Sequence, residues 1–426
     1  MNIPELHALF KKSKGVATDT RTLREGELFF CLKGANSNGN RFANKALEKG
    51  AIAAIIDDQS AYSNEKTILV NNTLEALQML AHHHRKQFDI PVIGLTGSNG
   101  KTTTKELIRS VLEQGHTIHA THGNLNNHIG VPLTLLGISD DTEIALIEMG
   151  ANHQKEIDQL CQIAQPNMGY ITNFGKAHLE GFGGVDGVIK GKSELYDYLR
   201  THNGVALING DDPLQHKQAK GIEQFSFGKA KENSFSIQNS IDPEGFCRSI
   251  FEEVEIKSNL TGAYNTSNIN AAIAFGKYFK LENSLLIRGI KSYIPKNNRS
   301  QWISTNSNAV LLDAYNANPT SMLAALTAFD ALDKPSKVLI LGDMLELGAY
   351  AKQEHQEVVN RAIEMTIETI MLVGPHFSGC KTKGEVMKFP DASSLLKHIE
   401  ANPLKNKCIL IKGSRGIALE QLLKSL

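Results

Sequence analysis

Apolar runs alternate with polar, turn-forming segments along the whole chain. In the first 86 residues, short apolar stretches such as "GELFFCLKG" and "AIAAIID" are separated by stretches with helical spacing such as "NRFANKALEKG". This alternation predicts a small α/β domain over residues 1–86. The polar helical segment "TLEALQMLAHHHRKQF" then leads to Pro91, which suggests a domain boundary.

The alternation becomes more regular after Pro91. "PVIGLTG", "EIALIEMG", "NMGYITNFG" and "GVALINGDD" are nearly continuous apolar runs with helical segments between them. Continuous runs indicate strands that are buried on both faces of a parallel sheet. Residues 222–260 are instead polar and alternating, so we expect an antiparallel flap there. These patterns predict a central domain over residues 87–296 with a mostly parallel sheet.

A further parallel unit follows. The runs "AVLLDAY", "KVLILGD", "ETIMLVG" and "KCILIKG" alternate with helical segments and predict a Rossmann-like α/β domain over residues 297–426. A chain of 426 residues is also too long for a single hydrophobic core. We therefore expect an α/β protein of three domains.

Charge and cysteine content exclude several classes of protein. Lys+Arg and Asp+Glu both total 45, so no overall field attracts nucleic acid or anionic lipid. No apolar stretch is long enough to span a bilayer, and the N-terminus lacks the apolar centre of a signal peptide. The cysteines are scattered without a CxxC pair, which favours free thiols in the cytoplasm over a zinc ribbon or a disulfide framework. They are Cys31, Cys161, Cys247, Cys380 and Cys408.

The stretch "TGSNGKTTTKE" follows a predicted buried strand. A strict Walker A pattern would place glycine where this chain has Leu95. The physical elements of a phosphate loop are nevertheless present. Gly97 and Gly100 permit tight turns, and the helix that follows presents its positive end. Lys101 can reach the β- and γ-phosphates and the Thr102 hydroxyl can bind Mg²⁺, so we predict a nucleotide site.

Acidic and imidazole side chains follow two neighbouring strands. Glu148 ends "IALIE" and His178 lies just past "YITNFG". Ligands of doubly wound sheets collect at the carboxyl ends of strands, so Thr102, Glu148 and His178 are candidate Mg²⁺ ligands. Lys192 lies in the predicted helix "DGVIKGKSELYDYL", and its residue type alone favours a solvated lysine beside Glu194.

Asparagines cluster in three segments. "THGNLNNHIG" contains Asn126 and Asn127, and "GAYNTSNINAA" contains Asn268. Such residues either form turns and helix caps or orient a polar substrate. "DAYNANPTSM" and the Asp343 of "LGDMLELG" follow two strands of the third unit, where an exposed Asp343 would contribute to a binding surface or to an ordinary loop.

These segments closely resemble the Mur ligases, ATP-dependent enzymes that form amide bonds in bacterial cell-wall synthesis. The family loop T-G-[ST]-x-G-K-[TS] accounts for Leu95, and "GNLNNHIGVPLTLL", "EMGANHQKEI", "AHLEGFGG", "DAYNANPTSM" and "LGDMLELG" are similar to family signatures. The resemblance covers essentially the whole chain. It implies an ATP-dependent ligase that joins D-alanyl-D-alanine to UDP-N-acetylmuramoyl-tripeptide through an acyl phosphate.

The resemblance also implies roles for individual residues. The first domain would bind the UDP-sugar through "DTRTL" and "KGANSNGNRF", the central domain ATP, and the third domain the incoming dipeptide. Catalytic roles fall to Lys101, Glu148, His178 and Lys192. Mg²⁺ would be held by Thr102, Glu148, His178 and Lys192, the last as a carbamate. The nucleotide would contact Gly97, Ser98, Asn99, Gly100, Lys101, Thr102, Thr103, Asn268, Arg299 and Asp313. The other substrates would contact Thr20, Arg21, Asn126, Asn127, Tyr315, Asn316, Asn318 and Asp343.

Two alternatives stay open at this point. One is another ligase of the same superfamily, which would add a different amino acid or extend folylpolyglutamate. The other belongs to a different class, a P-loop ATPase that acts as a switch. The asparagine loop "YNANP" and "GDMLELG" argue against the first, and a switch leaves the third domain without a role. Nothing in the sequence predicts an oligomeric state.

Overall fold

The computed structural model describes residues 1–34, 37–296, 298–305 and 307–426. Residues 35 and 36 of the "KGANSNGNRF" segment lie outside the described residues, as does Asn297, the first residue of the third predicted domain.

The N-terminal segment contains a small parallel sheet. Its helices and strands are α1 (Ile3–Phe10), β1 (Val16–Ala17), β2 (Leu28–Phe30), β3 (Lys33–Gly34), β4 (Ser37–Asn38), α2 (Ala43–Glu48), β5 (Ala53–Ile56), β6 (Thr67–Leu69) and α3 (Thr73–Arg85). The sheet has four strands in the order β1-β2-β5-β6, and β3 pairs with β4 separately. The Asn72 side chain caps α3 by accepting hydrogen bonds from the amides of Leu74 and Glu75.

Helix α3 packs on the central segment as well as on its own sheet. Its fully buried Leu77 and Leu80 share one hydrophobic core with Val131 and Leu135 of the central segment. A polar contact accompanies this packing, because His84 of α3 hydrogen bonds through Nε2 to the Ile138 carbonyl at 2.9 Å. The first sheet is therefore joined to the second by a continuous apolar interface.

The central segment contains a larger, mostly parallel sheet. Its elements are β7 (Val92–Thr96), α4 (Lys101–Leu112), β8 (Ile118–Ala120), α5 (Gly130–Leu135), β9 (Ile144–Glu148), α6 (Glu156–Ala164), β10 (Met168–Ile171), α7 (Leu179–Phe182), α8 (Val185–Thr201), β11 (Val205–Asn209), α9 (Pro213–Gln218), β12 (Glu223–Gly228), β13 (Phe235–Ile241), β14 (Phe246–Phe251), β15 (Val254–Thr261), α10 (Thr266–Tyr278) and α11 (Asn283–Ser292). Nine strands lie in the order β15-β14-β13-β12-β11-β10-β7-β9-β8.

The predicted flap is part of this sheet. β12 and β13 pair in parallel, which the polar pattern of residues 222–260 did not predict. The antiparallel expectation is confirmed for β13, β14 and β15 and is wrong for β12. The polar pattern was misleading because these strands lie towards one edge of the sheet. Faces exposed to solvent tolerate polar side chains there, whatever the direction of pairing.

The C-terminal segment contains the third sheet. Its elements are β16 (Gln301–Ser304), β17 (Ala309–Asp313), α12 (Pro319–Asp330), β18 (Lys337–Gly342), α13 (Ala351–Glu364), β19 (Thr369–Val373), α14 (Pro375–Ser378), β20 (Val386–Phe389), α15 (Ala392–Ala401) and β21 (Cys408–Lys412). Six strands lie in the order β16-β17-β21-β18-β19-β20, all parallel except β16. The predicted α/β class with a Rossmann-like third unit is confirmed. The exact domain boundaries stay predictions.

Parallel pairing brings the loops of the candidate site together. β7 lies between β9 and β10, so the carboxyl ends of these three strands meet at one edge of the sheet. Those ends lead into the phosphate loop, Glu148 and the segment that carries His178. In the part of the chain that the structure describes, no helix combines the length and apolar character needed to cross a membrane.

Candidate functional site

The phosphate loop connects β7 to α4 in a tightly packed turn. Gly97 and Gly100 have φ of 139° and 81°, which L side chains rarely adopt. A Cβ at Gly97 would lie 2.0 Å from Thr172 Oγ1, and one at Gly100 would lie 2.6 Å from Asn268 Oδ1. Both glycines are therefore required by conformation and by space. The loop ends at Lys101, where α4 begins without a side-chain cap from the described residues, so its first amides are available to an anion.

Lys101 folds back over this loop. Its Nζ donates to the carbonyls of Gly97 at 2.7 Å and Ser98 at 3.3 Å. Burial lowers the pKa of Lys101 to about 8, and the nearby Glu148 opposes that shift while Arg299 reinforces it. An anion bound in the loop would favour the charged lysine, because it would supply the compensating charge that burial removes.

Glu148 ends β9 in a buried position with one oxygen unsatisfied. Oε1 accepts hydrogen bonds from Thr102 Oγ1 at 3.1 Å and from Asn126 Nδ2 at 2.8 Å. Oε2 is buried without a hydrogen-bond partner among the described residues. The Nζ of Lys105 lies 3.8 Å from Oε2 and donates instead to the Thr121 carbonyl at 2.6 Å. A buried carboxylate oxygen without a partner is costly, and a cation would relieve that cost.

Lys192 is buried in α8 rather than solvated. Its Nζ donates to the Ala151 carbonyl at 3.1 Å and lies 4.9 Å from the centre of the Phe182 ring. Burial, and then the charge of Lys101, lower the pKa of Lys192 well below its usual value. The interpretation of Lys192 as an exposed lysine is therefore wrong. A lowered pKa favours the neutral amine, which is the nucleophilic form of lysine.

His178 contacts the C-terminal segment. Its Nδ1 hydrogen bonds to Glu346 Oε2, and this bond lowers the pKa of Glu346. His178 also lies on the cavity wall described next. Among the described residues, no group of three or more His, Cys, Asp and Glu side chains is arranged to hold a metal ion. The four-residue Mg²⁺ set inferred from the sequence stays a prediction.

One cavity of about 570 Å³ lies over the phosphate loop. Both the central and the C-terminal segments contribute to its walls. The predicted residues in its lining are Ser98, Asn99, Gly100, Lys101, Thr102, Thr103, Asn126, Asn127, Glu148, His178, Asn268, Arg299, Asp313, Tyr315, Asn316 and Asn318. Within the described ranges, the lining does not include Thr20, Arg21, Gly97, Lys192 or Asp343.

The asparagines of the central segment are largely engaged with protein. Asn127 Oδ1 accepts from the amides of Ile129 and Gly130, so this side chain closes the turn that leads into α5. Asn268 accepts from Thr104 Oγ1 at 3.0 Å and donates to Asn265 Oδ1 at 2.9 Å. The turn-forming interpretation holds for Asn127, whereas Asn268 packs against Gly100 of the phosphate loop and does not cap α10.

The C-terminal wall of the cavity carries an ion pair and an aromatic stack. Asp313 pairs with Lys412, which follows from the parallel register that aligns these residues on β17 and β21. The Arg299 guanidinium lies 3.7 Å from the centre of the Tyr315 ring. Asn316 Oδ1 accepts from the Ala317 amide at 2.9 Å, so it stabilises its own loop.

Asn318 connects the third sheet to the phosphate loop. Its Nδ2 donates to Asn99 Oδ1 at 2.6 Å, while its Oδ1 accepts from the Ser321 amide and caps α12. A second contact joins the same segments, because the Lys176 amide donates to Thr320 Oγ1 at 2.9 Å. The structure thus places the C-terminal segment directly against the phosphate loop.

The expectation that Asp343 is exposed is wrong. Its carboxylate is buried and accepts hydrogen bonds from the amides of His376 at 2.9 Å and Phe377 at 2.8 Å. These amides open α14, so Asp343 holds the start of that helix against the end of β18. The sequence could not show this, because the amide donors lie more than thirty residues further along the chain.

The two predicted residues of the N-terminal segment lie apart from this cavity. Arg21 is exposed and pairs with Asp19 at 2.6 Å, while the Thr20 carbonyl accepts from Lys49 Nζ at 2.7 Å. The Arg21 hydrogen bond lowers the pKa of Asp19 to about 2. Their role in binding a UDP-sugar stays a prediction.

Comparisons with known proteins match the whole chain. Family models describe residues 12–85 as "Mur ligase family, catalytic domain", 95–276 as "Mur ligase middle domain" and 298–415 as "Mur ligase, glutamate ligase domain". The chain is 36% identical over 430 residues to the UDP-N-acetylmuramoyl-tripeptide–D-alanyl-D-alanine ligase of Bacillus subtilis, covering 97% of this chain and 93% of that one. The chain belongs to the Mur ligase family.

Solved Mur ligase structures share the fold. A crystal structure of MurF from Acinetobacter baumannii is 29% identical with a TM-score of 0.88, covering 100% of this chain and 98% of that one. MurF from Thermotoga maritima, solved in complex with ADP, is 26% identical with a TM-score of 0.86, covering 98% of this chain and 97% of that one. The predicted family and fold class are confirmed.

Sequence reasoning missed three side chains of this Mur ligase site. Lys105 is fully buried beside Glu148, Lys412 pairs with Asp313, and Glu346 contacts His178. A signal existed for Lys412, because it ends the apolar run "KCILIK" as Asp313 ends "AVLLD". Lys105 lies one helical turn after Lys101 and carries no such signal. Glu346 lies in the quoted segment "LGDMLELG", where residue type alone does not separate it from Glu180 or Glu354.

Proposed function

We propose that this chain is an ATP-dependent ligase that joins D-alanyl-D-alanine to UDP-N-acetylmuramoyl-tripeptide in the synthesis of peptidoglycan precursors. Relatives that match this chain over nearly its whole length carry the name of this activity, which supports the assignment. The observation that carries it is the cavity itself, whose walls combine the phosphate loop, Glu148 and Asn318 of the third sheet. A ligase needs such a site, because its acceptor must be held beside the phosphates.

The reaction proceeds in two steps. A carboxylate oxygen is a poor leaving group, so the terminal carboxylate of the tripeptide first attacks the γ-phosphorus of ATP. The bond from that phosphorus to the bridging oxygen breaks, giving an acyl phosphate and ADP. The neutral amine of D-alanyl-D-alanine then attacks the acyl carbon, and phosphate leaves from the tetrahedral intermediate. The amine loses a proton, and the product is an amide.

The chain supplies charge and position for both steps. The amides at the start of α4 face the phosphates, and Lys101 and Arg299 neutralise charge on the transferred group. Asp313 and Asn268 contact the nucleoside, while Asn126, Tyr315 and Asn318 orient the substrates. Holding reactants in this way recovers about 7–11 kcal/mol of the barrier. Closure of the C-terminal segment on the central segment would also exclude water from the acyl phosphate.

Magnesium fits the residues at the end of β9. The buried Glu148 Oε2 lacks a hydrogen-bond partner in the described part of the chain and belongs to the same carboxylate that contacts the Thr102 hydroxyl. Oxygen ligands of this kind suit Mg²⁺, which retains several water molecules. Thr102, Glu148 and His178 would hold the ion. When bound, it would neutralise charge on the phosphates.

Lys192 would complete the set as a carbamate. Its burial favours the neutral amine, which is the form that attacks carbon dioxide to give a carbamate and a proton. The anionic oxygens of a carbamate suit Mg²⁺ far better than an ammonium group does. Removal of carbon dioxide and bicarbonate is expected to lower the activity of the wild-type protein. Unchanged rates in depleted buffer would contradict the carbamate.

The substrates divide among the three segments. Residues 1–86 would bind the UDP-sugar through Thr20 and Arg21, residues 87–296 would bind ATP, and residues 297–426 would bind the dipeptide. We propose a cytoplasmic location, supported by five cysteines that are all free and buried. The candidate roles of Gly97, Ser98, Asn99, Gly100, Thr103, Asn127, Asn316 and Asp343 stay predictions.

A phosphate-release assay with the purified protein tests this function. Mg·ATP, the UDP-linked tripeptide and D-alanyl-D-alanine are supplied together and then omitted one at a time. Phosphate release is expected only with all of them present, and mass spectrometry should show the UDP-linked pentapeptide. Release at the same rate without acceptor would support the ATPase switch. Replacement of the dipeptide by glutamate or lysine tests the related amino-acid ligases.

A further inference from the structure

Two loops from different sheets meet beside the cavity. Residues 175–184 follow β10 in the central segment, and residues 345–350 follow β18 in the C-terminal segment. The Glu180 amide donates to the Glu346 carbonyl at 3.4 Å. A Cβ at Gly348 would lie 3.1 Å from the Glu180 side chain. The loops are therefore in direct contact.

A side-chain hydrogen bond joins these loops at their centre. His178 Nδ1 contacts Glu346 Oε2, and the histidine side chain is 19% exposed. Both residues have left-handed backbone conformations, with φ of 51° for His178 and 62° for Glu346. Residues with a Cβ seldom adopt this region, and strained positions persist where surrounding contacts hold them. The backbone on each side is thus shaped to present one side chain to the other.

This contact determines the tautomer of His178. An ionised carboxylate can only accept hydrogen bonds, so Nδ1 must carry the proton. In the neutral ring the lone pair is then on Nε2. Within the described part of the chain, Nε2 has no hydrogen-bond partner, and His178 lines the cavity. Histidines that bind metal commonly donate their other ring N–H to a carboxylate in this way.

We propose that Glu346 is a positioning residue, which orients His178 for Mg²⁺ when the C-terminal segment docks on the central segment. This inference rests on the proposed function, in which His178 is a metal ligand. Its consequence is a direct link between docking and metal binding, because one segment supplies the ligand and the other supplies the carboxylate that orients it. The dipeptide-binding segment would thus complete the metal site.

A second ion pair across the same two segments provides a matched control. Lys176 Nζ lies 2.8 Å from Glu354 Oε1, and this pair makes no hydrogen bond to His178 among the described residues. If Glu346 contributes only to docking, loss of the Lys176–Glu354 pair should have the same effect as loss of Glu346. If Glu346 orients His178, the two variants should differ.

The experiment measures ADP binding by calorimetry with and without Mg²⁺, for the wild type and for Glu346→Ala, Glu346→Gln and Glu354→Gln. Glu346→Ala is expected to weaken Mg²⁺ binding about 10–100-fold, the usual cost of removing such a partner, and to leave ADP binding in EDTA unchanged. Glu346→Gln should be intermediate, because its amide oxygen can still accept from Nδ1. Glu354→Gln should retain the Mg²⁺ dependence of the wild type.

Nitrogen NMR of the labelled histidines gives an independent readout. His178 is expected to show the lone pair on Nε2 in the wild type and a mixture of tautomers in Glu346→Ala. A wild-type Mg²⁺ dependence in Glu346→Ala, or an equal loss in Glu354→Gln, would overturn the inference.

The variant His178→Ala separates the metal-binding role of His178 from the positioning role of Glu346. If it binds Mg²⁺ as the wild type does, the metal assignment fails and the inference fails with it. If it loses Mg²⁺ binding while Glu346→Ala does not, only the inference fails.

Discussion

Two buried carboxylates follow apolar strands in different sheets of this protein, and their surroundings are opposite. Glu148 ends β9 with one oxygen bound by Thr102 and Asn126 and the other without a hydrogen-bond partner in the described residues. Asp343 follows β18 with each oxygen bound by a backbone amide at the start of α14. One carboxylate is left able to bind a cation, and the other stabilises the fold.

The comparison shows that two carboxylates at equivalent strand ends can have different surroundings. Both residues lie where parallel α/β sheets collect ligands. What distinguishes them is hydrogen bonding, because amides satisfy both oxygens of Asp343, whereas Oε2 of Glu148 has only the Lys105 ammonium 3.8 Å away. A buried acceptor that the fold leaves unsatisfied indicates function, whereas a fully bonded one indicates structure.

The largest expected effect is on catalysis, in Glu148→Gln. The substitution keeps the shape and an oxygen that can accept from Thr102, but it removes the negative charge. We expect kcat to fall about 10²–10³-fold, as for loss of a charge-stabilising group. The melting temperature should change little, because the loss of a buried oxygen without a hydrogen-bond partner is offset by the loss of the charge that faces Lys105 Nζ 3.8 Å away. Steady-state kinetics and calorimetric melting measure these quantities. Near-wild-type turnover would remove Glu148 from the catalytic site.

The matched substitution Asp343→Asn should give the reverse pattern. One of the two backbone amides would then face an NH₂ group instead of an oxygen, in a fully buried position. We expect the free energy of unfolding to fall by about 2 kcal/mol. Urea denaturation measures this change, and kcat of the folded enzyme should fall far less than in Glu148→Gln. A large loss of kcat with unchanged stability would show that Asp343 acts on substrate.

The smallest expected effect is a shift in the pH dependence of ADP binding. Burial lowers the pKa of Lys101 to about 8, and the negative charge of Glu148 opposes this lowering. The ammonium form attracts phosphate, so affinity should be full below this pKa and should decline as the pH rises through about 8.

Glu148→Gln removes the negative charge beside Lys101, so the pH midpoint of the decline in ADP affinity should move to lower pH. Asp343→Asn should leave this midpoint unchanged. Calorimetric titrations from neutral to alkaline pH measure the midpoint. The same midpoint in both variants would show that Glu148 does not act on Lys101.

The sequence predicted what depends on local pattern and missed what depends on distant contacts. Continuous apolar runs imply buried parallel strands, so the α/β class and the position of the phosphate loop followed from residue type and spacing. The environment of Asp343 depends on amides beyond β19, and the partner of His178 comes from another sheet. The burial of Lys192 depends on how α8 packs. Such properties follow from tertiary structure, and no single segment contains them.

Helix α3 belongs to the first sheet by sequence and to the second by packing. Its Leu77 and Leu80 cover apolar side chains of α5, among them Val131 and Leu135. A fragment that started after residue 86 would therefore expose this apolar surface to water and would tend to aggregate. The N-terminal segment covers an apolar face of the central segment, so the two should be produced together and should denature together.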